Sequence, residues 1–238
     1  YCDLLAQGAV TEGEAVNFCV PTGNFGNILS AFYAKEMGLP IDRLLCASNS
    51  NNVLTDFIAT GKYDRNRPFY NTVSPSMDIL ISSNLERLLY LLSGGDDKLV
   101  AGYMKELSDT GCYQVSGEML EKIQSVFVGG FSSEEETEAT IGKMMDEHKY
   151  LIDTHTAVAF HVLEQYRKDT GDQTKTVVAS TASPFKFCDA VLDALHVTEK
   201  ATGTALLDQL ADVSGMPAPQ PLATLKDKKV RFTSWTEK

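Results

Sequence analysis

The stretch Pro21-Thr22-Gly23-Asn24-Phe25-Gly26-Asn27 carries residue types suited to holding an anion. It follows the apolar run Val16 to Val20 and precedes Ile28 to Met37, where apolar residues recur at helical spacing. Strand, glycine-rich turn and helix in succession aim free backbone N–H groups and the positive end of a helix at one point. Gly23 and Gly26 are expected to let the backbone bend and approach a ligand that a Cβ would hold off. Asn24 and Asn27 add side-chain donors. The chemistry this predicts is phosphate binding. The spacing fits neither G-x-G-x-x-G nor a P-loop ending in Gly-Lys-Ser/Thr. Taken alone, the stretch is therefore read equally well as a phosphate cradle or as an ordinary strand-to-helix turn.

A second polar gathering follows another apolar run. Thr176 to Ser180 reads as a buried strand and leads into Thr181-Ala182-Ser183-Pro184-Phe185-Lys186-Phe187, with Pro184 suited to a first helical position. Asp153-Thr154-His155-Thr156-Ala157 opens an amphipathic helix that Asp153 or Thr154 caps; a His in a first turn is more often structural than functional, and His161 carries no functional reading. Ser48 to Asn52 follows another strand, and at least one of these residues is expected to cap the next helix. Ser183 and Asn49 to Asn52 stay open between capping and ligand contact.

These stretches need elements to position them. Val16–Val20, the helix 26–37 closed by Gly38 and Pro40, and the strand 43–48 form a βαβ unit with parallel strands. The glycine turn then sits at the carboxyl end of a strand, where open α/β sheets bind ligands. Helices are expected at 53–60, 84–92, 98–107 and 119–126, so the middle of the chain, about 80–150, reads as mostly helical. An acidic helix over 132–148 opens with Ser-Ser-Glu-Glu-Glu. Glu134 to Glu136 suit the helix dipole and read as a solvated face rather than a metal site. Residues 1–8 read as the last turns of a helix stopped at Gly8, and a last helix is expected at 205–211. The chain after Pro217 reads as an extended, basic tail. The fold class is α/β, a parallel twisted sheet with flanking helices and a mostly helical middle.

With 238 residues, 43% hydrophobic and 22% charged, the chain has globular composition. A formal net charge of −11 argues against nucleic acid and anionic membrane as partners, but not against a small anion in a locally positive site. Five cysteines, none in a C-x-x-C pair, suggest neither zinc nor a disulfide framework, and Cys19 and Cys46 read as small core residues. No apolar run is long enough to span a membrane. A reducing, cytoplasmic setting is expected. The abrupt start at Tyr1 reads as the middle of a longer protein.

Together, Pro21 to Asn27 and Ser180 to Phe187 resemble threonine synthase, a pyridoxal-phosphate (PLP) enzyme of fold type II in the tryptophan-synthase-β-like group. Ser74-Pro75-Ser76-Met77-Asp78-Ile79 and Asp153 to Ala157 are similar to its longer bacterial and fungal branch, and the resemblance runs from about Val16 to Leu195. It implies that Gly23, Asn24, Phe25, Gly26 and Asn27 hold the PLP phosphate and that Thr181 hydrogen-bonds the pyridine nitrogen. A neutral hydroxyl there does not enforce a pyridinium as a carboxylate would. Lys186 matches a residue toward the substrate phosphate, although a solvent-facing Lys on a helix first turn accounts for it at least as well. The implied reaction converts O-phospho-L-homoserine and water to L-threonine and phosphate.

One departure stands out. The lysine that anchors PLP covalently lies upstream of the phosphate loop in such enzymes, whereas here no Lys precedes Gly23 and the first is Lys35. The resemblance therefore implies that residues 1–238 are the C-terminal, large PLP-binding domain, with a helical insertion at about 80–150 and no catalytic lysine of their own. Such a chain is expected to be inactive alone and to self-associate through surface left uncovered. Two other readings share these motifs: a threonine-synthase-like phospho-lyase yielding a keto acid, and a non-catalytic module that binds a phosphorylated ligand.

Overall fold

The computed structural model describes residues 1–229, 231 and 234. A short helix α1 (Cys2–Ala6) leads through a turn at Gly8 to β1 (Val16–Pro21), α2 (Gly26–Glu36) and β2 (Ile41–Ser48). Then follow α3 (Val53–Thr60), β3 (Lys62–Asp64), a 3₁₀ turn at Pro75–Met77, α4 (Leu85–Leu92), α5 (Asp97–Thr110), β4 (Cys112–Gln114) and α6 (Gly117–Gln124). β5 (Phe127–Phe131), α7 (Glu134–His148), α8 (Thr154–Thr170) and β6 (Thr176–Val178) come next. A 3₁₀ turn at Pro184–Lys186, α9 (Cys188–Ala194), α10 (Ala205–Ser214), α11 (Gln220–Ala223) and a 3₁₀ turn at Thr224–Asp227 complete the chain as described.

The main sheet is wholly parallel, in the order β5-β2-β1-β6. Alternation along the strands feeds two faces, as a doubly covered parallel sheet requires. Val20, Leu44 and Cys46 pack with Ile28, Leu29 and Phe32 of α2 and with α3, whereas Cys19, Leu45 and Ala47 meet Val158, Ala159 and Val162 of α8. Burial pushes the Cys46 thiol up to about 12 and the Cys19 thiol higher still, as befits inert core residues. A third cluster joins Ile141 of α7, Val191 and Leu192 of α9, and Leu207 and Leu210 of α10.

The expected βαβ unit is present, and most helices fall within a few residues of their expected bounds. Three features differ. The stretch 80–150 is mostly helical but also supplies β5, an edge strand of the main sheet. Its Phe-Val-Gly-Gly-Phe sequence carries two glycines, a weak strand signal. Those glycines permit close packing: a Cβ on Gly129 would lie 2.9 Å from Thr55 Cα, and one on Gly130 2.6 Å from Val162 Cγ1. β3 and β4 form a separate antiparallel pair in which Tyr63 stacks on Tyr113 with ring centroids 5.3 Å apart. The tail expected to be extended turns helical at 220–227; positions 230, 232, 233 and 235–238 lie outside the described residues.

The acidic helix α7 carries a full capping box, Ser133 with Glu136, and Glu136 fulfils the expected dipole role. Glu134 does not stay on the solvated face. Its Oε2 accepts from the Val73 N–H at 2.8 Å while Oε1 is buried, and desolvation raises its pKa. Asn49 and Asn51 are buried and donate to Asp78 at 2.8 and 3.1 Å, bracing the segment 70–78. Asn52, at the N-cap of α3, makes no side-chain cap bond and accepts from Arg67 at 3.0 Å. The expected cap is therefore replaced by tertiary ties.

Candidate functional site

Because β1 and β6 are neighbours in a parallel sheet, the loops at their carboxyl ends must meet. They enclose a cavity of about 360 Å³ lined by Thr22 to Asn27 from the first loop and by Thr181, Ala182 and Lys186 from the second. Every site residue expected from sequence, Gly23, Asn24, Phe25, Gly26, Asn27, Thr181 and Lys186, lines this one space. Pro21, Ser76, Met77, Asn84 and His155 complete the wall, and among the described residues no acidic side chain lines it.

The loop achieves its shape differently from the expectation that Gly23 and Gly26 supply the bend. Neither glycine has a positive φ; the left-handed residue is Phe25, at φ 62°, in the N-cap position of α2. Its ring is buried and lies 5.5 Å from the Phe127 ring, so core packing holds the strained backbone in place. Gly23 serves close approach instead. A Cβ there would lie 3.0 Å from Met77 Cα and 3.1 Å from the Ser76 carbonyl oxygen. The N–H groups of Gly23 through Ile28 donate to no acceptor among the described residues, and Phe25 caps the helix without a side-chain bond. That row of free donors at the positive end of an eleven-residue helix is chemistry for an anion such as a phosphate.

The loop is braced from Ser82-Ser83-Asn84, which sequence reasoning missed. Ser82 Oγ donates to the Gly23 carbonyl at 2.8 Å, and the Ser83 N–H and Oγ both donate to Asn24 Oδ1 at 2.7 Å. Asn84 Nδ2 donates to the Asn24 carbonyl at 2.7 Å. One end of the Asn24 amide is thus spent on holding the loop. A Ser-Ser-Asn run before a helix looks like capping, and nothing local to it signals a partner fifty-nine residues away.

On the opposite wall Thr181 is exposed to the cavity, and its hydroxyl has no partner among the described residues. Lys186 is exposed as well, with Nζ 5.9 Å from the Phe187 ring centroid. Ser183 precedes the 3₁₀ turn without a side-chain cap bond. His155, read from sequence as structural, is buried yet reaches the cavity wall. Asp153 caps α8 by accepting from the His155 and Thr156 N–H groups at 2.9 and 3.3 Å, and Thr156 Oγ1 donates to its other oxygen.

Burial opposes the charge on Asp153, but the hydrogen bonds from His155 and Thr156 outweigh it and hold its carboxyl below the usual carboxylate range. A depressed carboxylate contributes stability that is present above its unfolded pKa and lost as pH falls through the folded value. Urea midpoints measured between pH 7 and pH 3 are expected to fall on the acid side. Asp153→Ala should destabilise by about 1–2 kcal/mol at pH 7 through loss of the cap and flatten that acid limb. An unchanged acid limb in the variant would refute this.

A parallel sheet covered by helices, with a ligand cavity at its carboxyl edge, is the class of protein that fold and site define. Residues 156–237 match the family described as threonine synthase, C-terminal. The chain is 43% identical over 219 residues to threonine synthase-like 1 of Macaca fascicularis, covering 91% of this chain and 29% of that protein. The crystal structure of yeast threonine synthase superposes with a TM-score of 0.81 at 34% identity, over 95% of this chain and 45% of that one. The PLP-bound threonine synthase of Brucella melitensis gives 0.75 at 38%, over 90% and 44%. By sequence and by fold the chain is similar to the threonine synthases and threonine synthase-like proteins, and it spans less than half the length of these relatives. Among the described residues no helix is long and apolar enough to cross a membrane.

Proposed function

We propose that this chain provides the cofactor-phosphate cradle and the pyridine-nitrogen contact of a PLP site of threonine synthase type. The activity of such a site is conversion of O-phospho-L-homoserine and water to L-threonine and phosphate. The observation that carries the reading is the meeting, in one cavity that no acidic side chain lines among the described residues, of the N–H groups of Gly23 through Asn27 with the hydroxyl of Thr181, none of them paired among those residues. The fit to PLP is chemical: a phosphate takes backbone donors at a helix N-terminus, and a ring nitrogen takes a hydroxyl. Bound there, the cofactor supplies an electron sink for carbanion chemistry.

In this reading Gly23 to Asn27 bind and orient the phosphate and Phe25 fixes the loop. Thr181 holds the ring nitrogen without fixing a proton on it. Lys186, the one lysine lining the cavity among the described residues, offers its charge to the phosphate of the substrate. We assign it no covalent role. Residues 1–238 act as the large, PLP-binding domain, and the lysine that anchors the cofactor is contributed from outside them.

The test is the absorbance spectrum of the chain after mixing with PLP and removing excess, with product analysis on O-phospho-L-homoserine. The chain alone is expected to show neither the visible band of lysine-bound PLP nor threonine formation, while still binding PLP reversibly through its phosphate. A stable band would make a lysine of this chain the anchor. Threonine formation would refute the assignment of a partial site, and a keto acid product would redirect the reaction to a phospho-lyase.

A further inference from the structure

His155 is placed where a catalytic acid or base could stand, with a carboxylate behind its ring and a cavity in front. Its hydrogen bonds decide otherwise. Nε2 accepts from the Ser76 N–H at 3.2 Å, so the ring proton belongs on Nδ1, which faces Asp153 Oδ1 at 3.2 Å. The lone pair that a base would use is already engaged by a backbone donor.

That donor belongs to the wall under the cradle. Ser76 and Met77 are the backbone against which Gly23 packs, at distances where a Cβ would be crowded, 3.0 Å from Met77 Cα and 3.1 Å from the Ser76 carbonyl oxygen. Met77 is buried, and the 3₁₀ turn carrying it has no side-chain cap of its own. A continuous path therefore runs from Asp153 through His155 to Ser76 and on to Gly23. The far side of the ring is set by Phe187, with centroids 4.8 Å apart, which ties the same imidazole to the loop bearing Thr181 and Lys186.

We propose that His155 is a positioning residue: held in the Nδ1–H form by Asp153, it pins the segment 74–78 through the Ser76 N–H and so sets the depth of the anion cradle. The inference rests on the reading of the Gly23 loop as a phosphate site, but its own contacts are testable without any ligand. It separates a hydrogen-bond role from a packing role, because two substitutions divide those properties. His155→Phe keeps a ring against Phe187 and loses the acceptor. His155→Gln loses the ring and keeps an oxygen acceptor at similar reach.

The experiment measures amide hydrogen exchange over residues 74–78 in the 238-residue chain, and binding of inorganic phosphate and of PLP, for both variants. His155→Phe is expected to speed exchange over 74–78 and to weaken phosphate binding about tenfold, while His155→Gln stays within about twofold of the parent, as loss and retention of one hydrogen bond predict. Equal damage in both variants, or damage confined to Gln, would overturn the proposal in favour of ring packing. Nitrogen-15 spectra of the unsubstituted chain give a check that no variant's folding can obscure. The His155 imidazole must carry its proton on Nδ1; a proton on Nε2 overturns the proposal. If the unsubstituted chain binds neither phosphate nor PLP, the cradle reading fails, and with it the claim that His155 sets a cradle's depth. Exchange and tautomer then show separately whether His155 pins the segment 74–78.

Discussion

Gly23→Ala is expected to lower phosphate and PLP affinity by about 10- to 100-fold, the effect of losing one charge-assisted hydrogen bond of about 1.5–3 kcal/mol. The cause is local. The added methyl would meet Met77 Cα at 3.0 Å and the Ser76 carbonyl oxygen at 3.1 Å, and both are backbone atoms that cannot rotate away. Loop and 76–77 segment must move apart by about a few tenths of an ångström, which shifts the N–H donors that line the cavity and strains the Ser82 bond to the Gly23 carbonyl. Overpacking of this kind should also cost about 1–3 kcal/mol of stability. Gly26→Ala is the matched control. Its Cβ would stand 3.5 Å from Asn84 Nδ2, an ordinary contact, and the position already has helical geometry. Urea denaturation should therefore leave Gly26→Ala near the parent while Gly23→Ala falls. Equal stability and equal phosphate affinity in the two variants would show that the approach of Gly23 to the 76–77 backbone has no function.

The contrast between these glycines marks what the sequence could and could not disclose. The strand, turn and helix around Gly23 were legible because apolar periodicity changes at Pro21 and again at Ile28. The meeting of this loop with Thr181 and Lys186 followed from topology, since two strand ends with polar loops in one parallel sheet are brought to one edge. The contacts that set the shape of the loop were hidden because they are distant in sequence. Ser82 to Asn84 act on Gly23 and Asn24 across about sixty residues, and His155 acts on Ser76 across seventy-nine. The strand β5 was missed for a related reason. Its two glycines depress strand propensity, yet they are there for Thr55 and Val162, partners that only the fold supplies.

Phe25 is the residue where local preference and tertiary packing conflict most, and its replacement is expected to give the largest loss of stability in the site. At φ 62° its backbone lies in the left-handed region, which costs a residue with a Cβ about 1–2 kcal/mol. The conformation persists because the ring is buried against Phe127, 5.5 Å away, which packs in turn on Phe32. Phe25→Ala removes the packing and keeps the strain, so a loss of about 3–5 kcal/mol is expected. Phe25→Gly removes slightly more surface but relieves the strain, and should recover about 1 kcal/mol of that loss. Glycine less damaging than alanine at a buried aromatic position inverts the usual order, and urea denaturation of the two variants reads it directly. Phosphate binding then separates the two roles of the residue. Glycine can still adopt the turn but no longer anchors it, so its variant should fold with weakened affinity. If Phe25→Gly bound phosphate as well as the parent chain, the shape of the cradle would be set by Ser82 to Asn84 alone, and the buried ring would serve only the core.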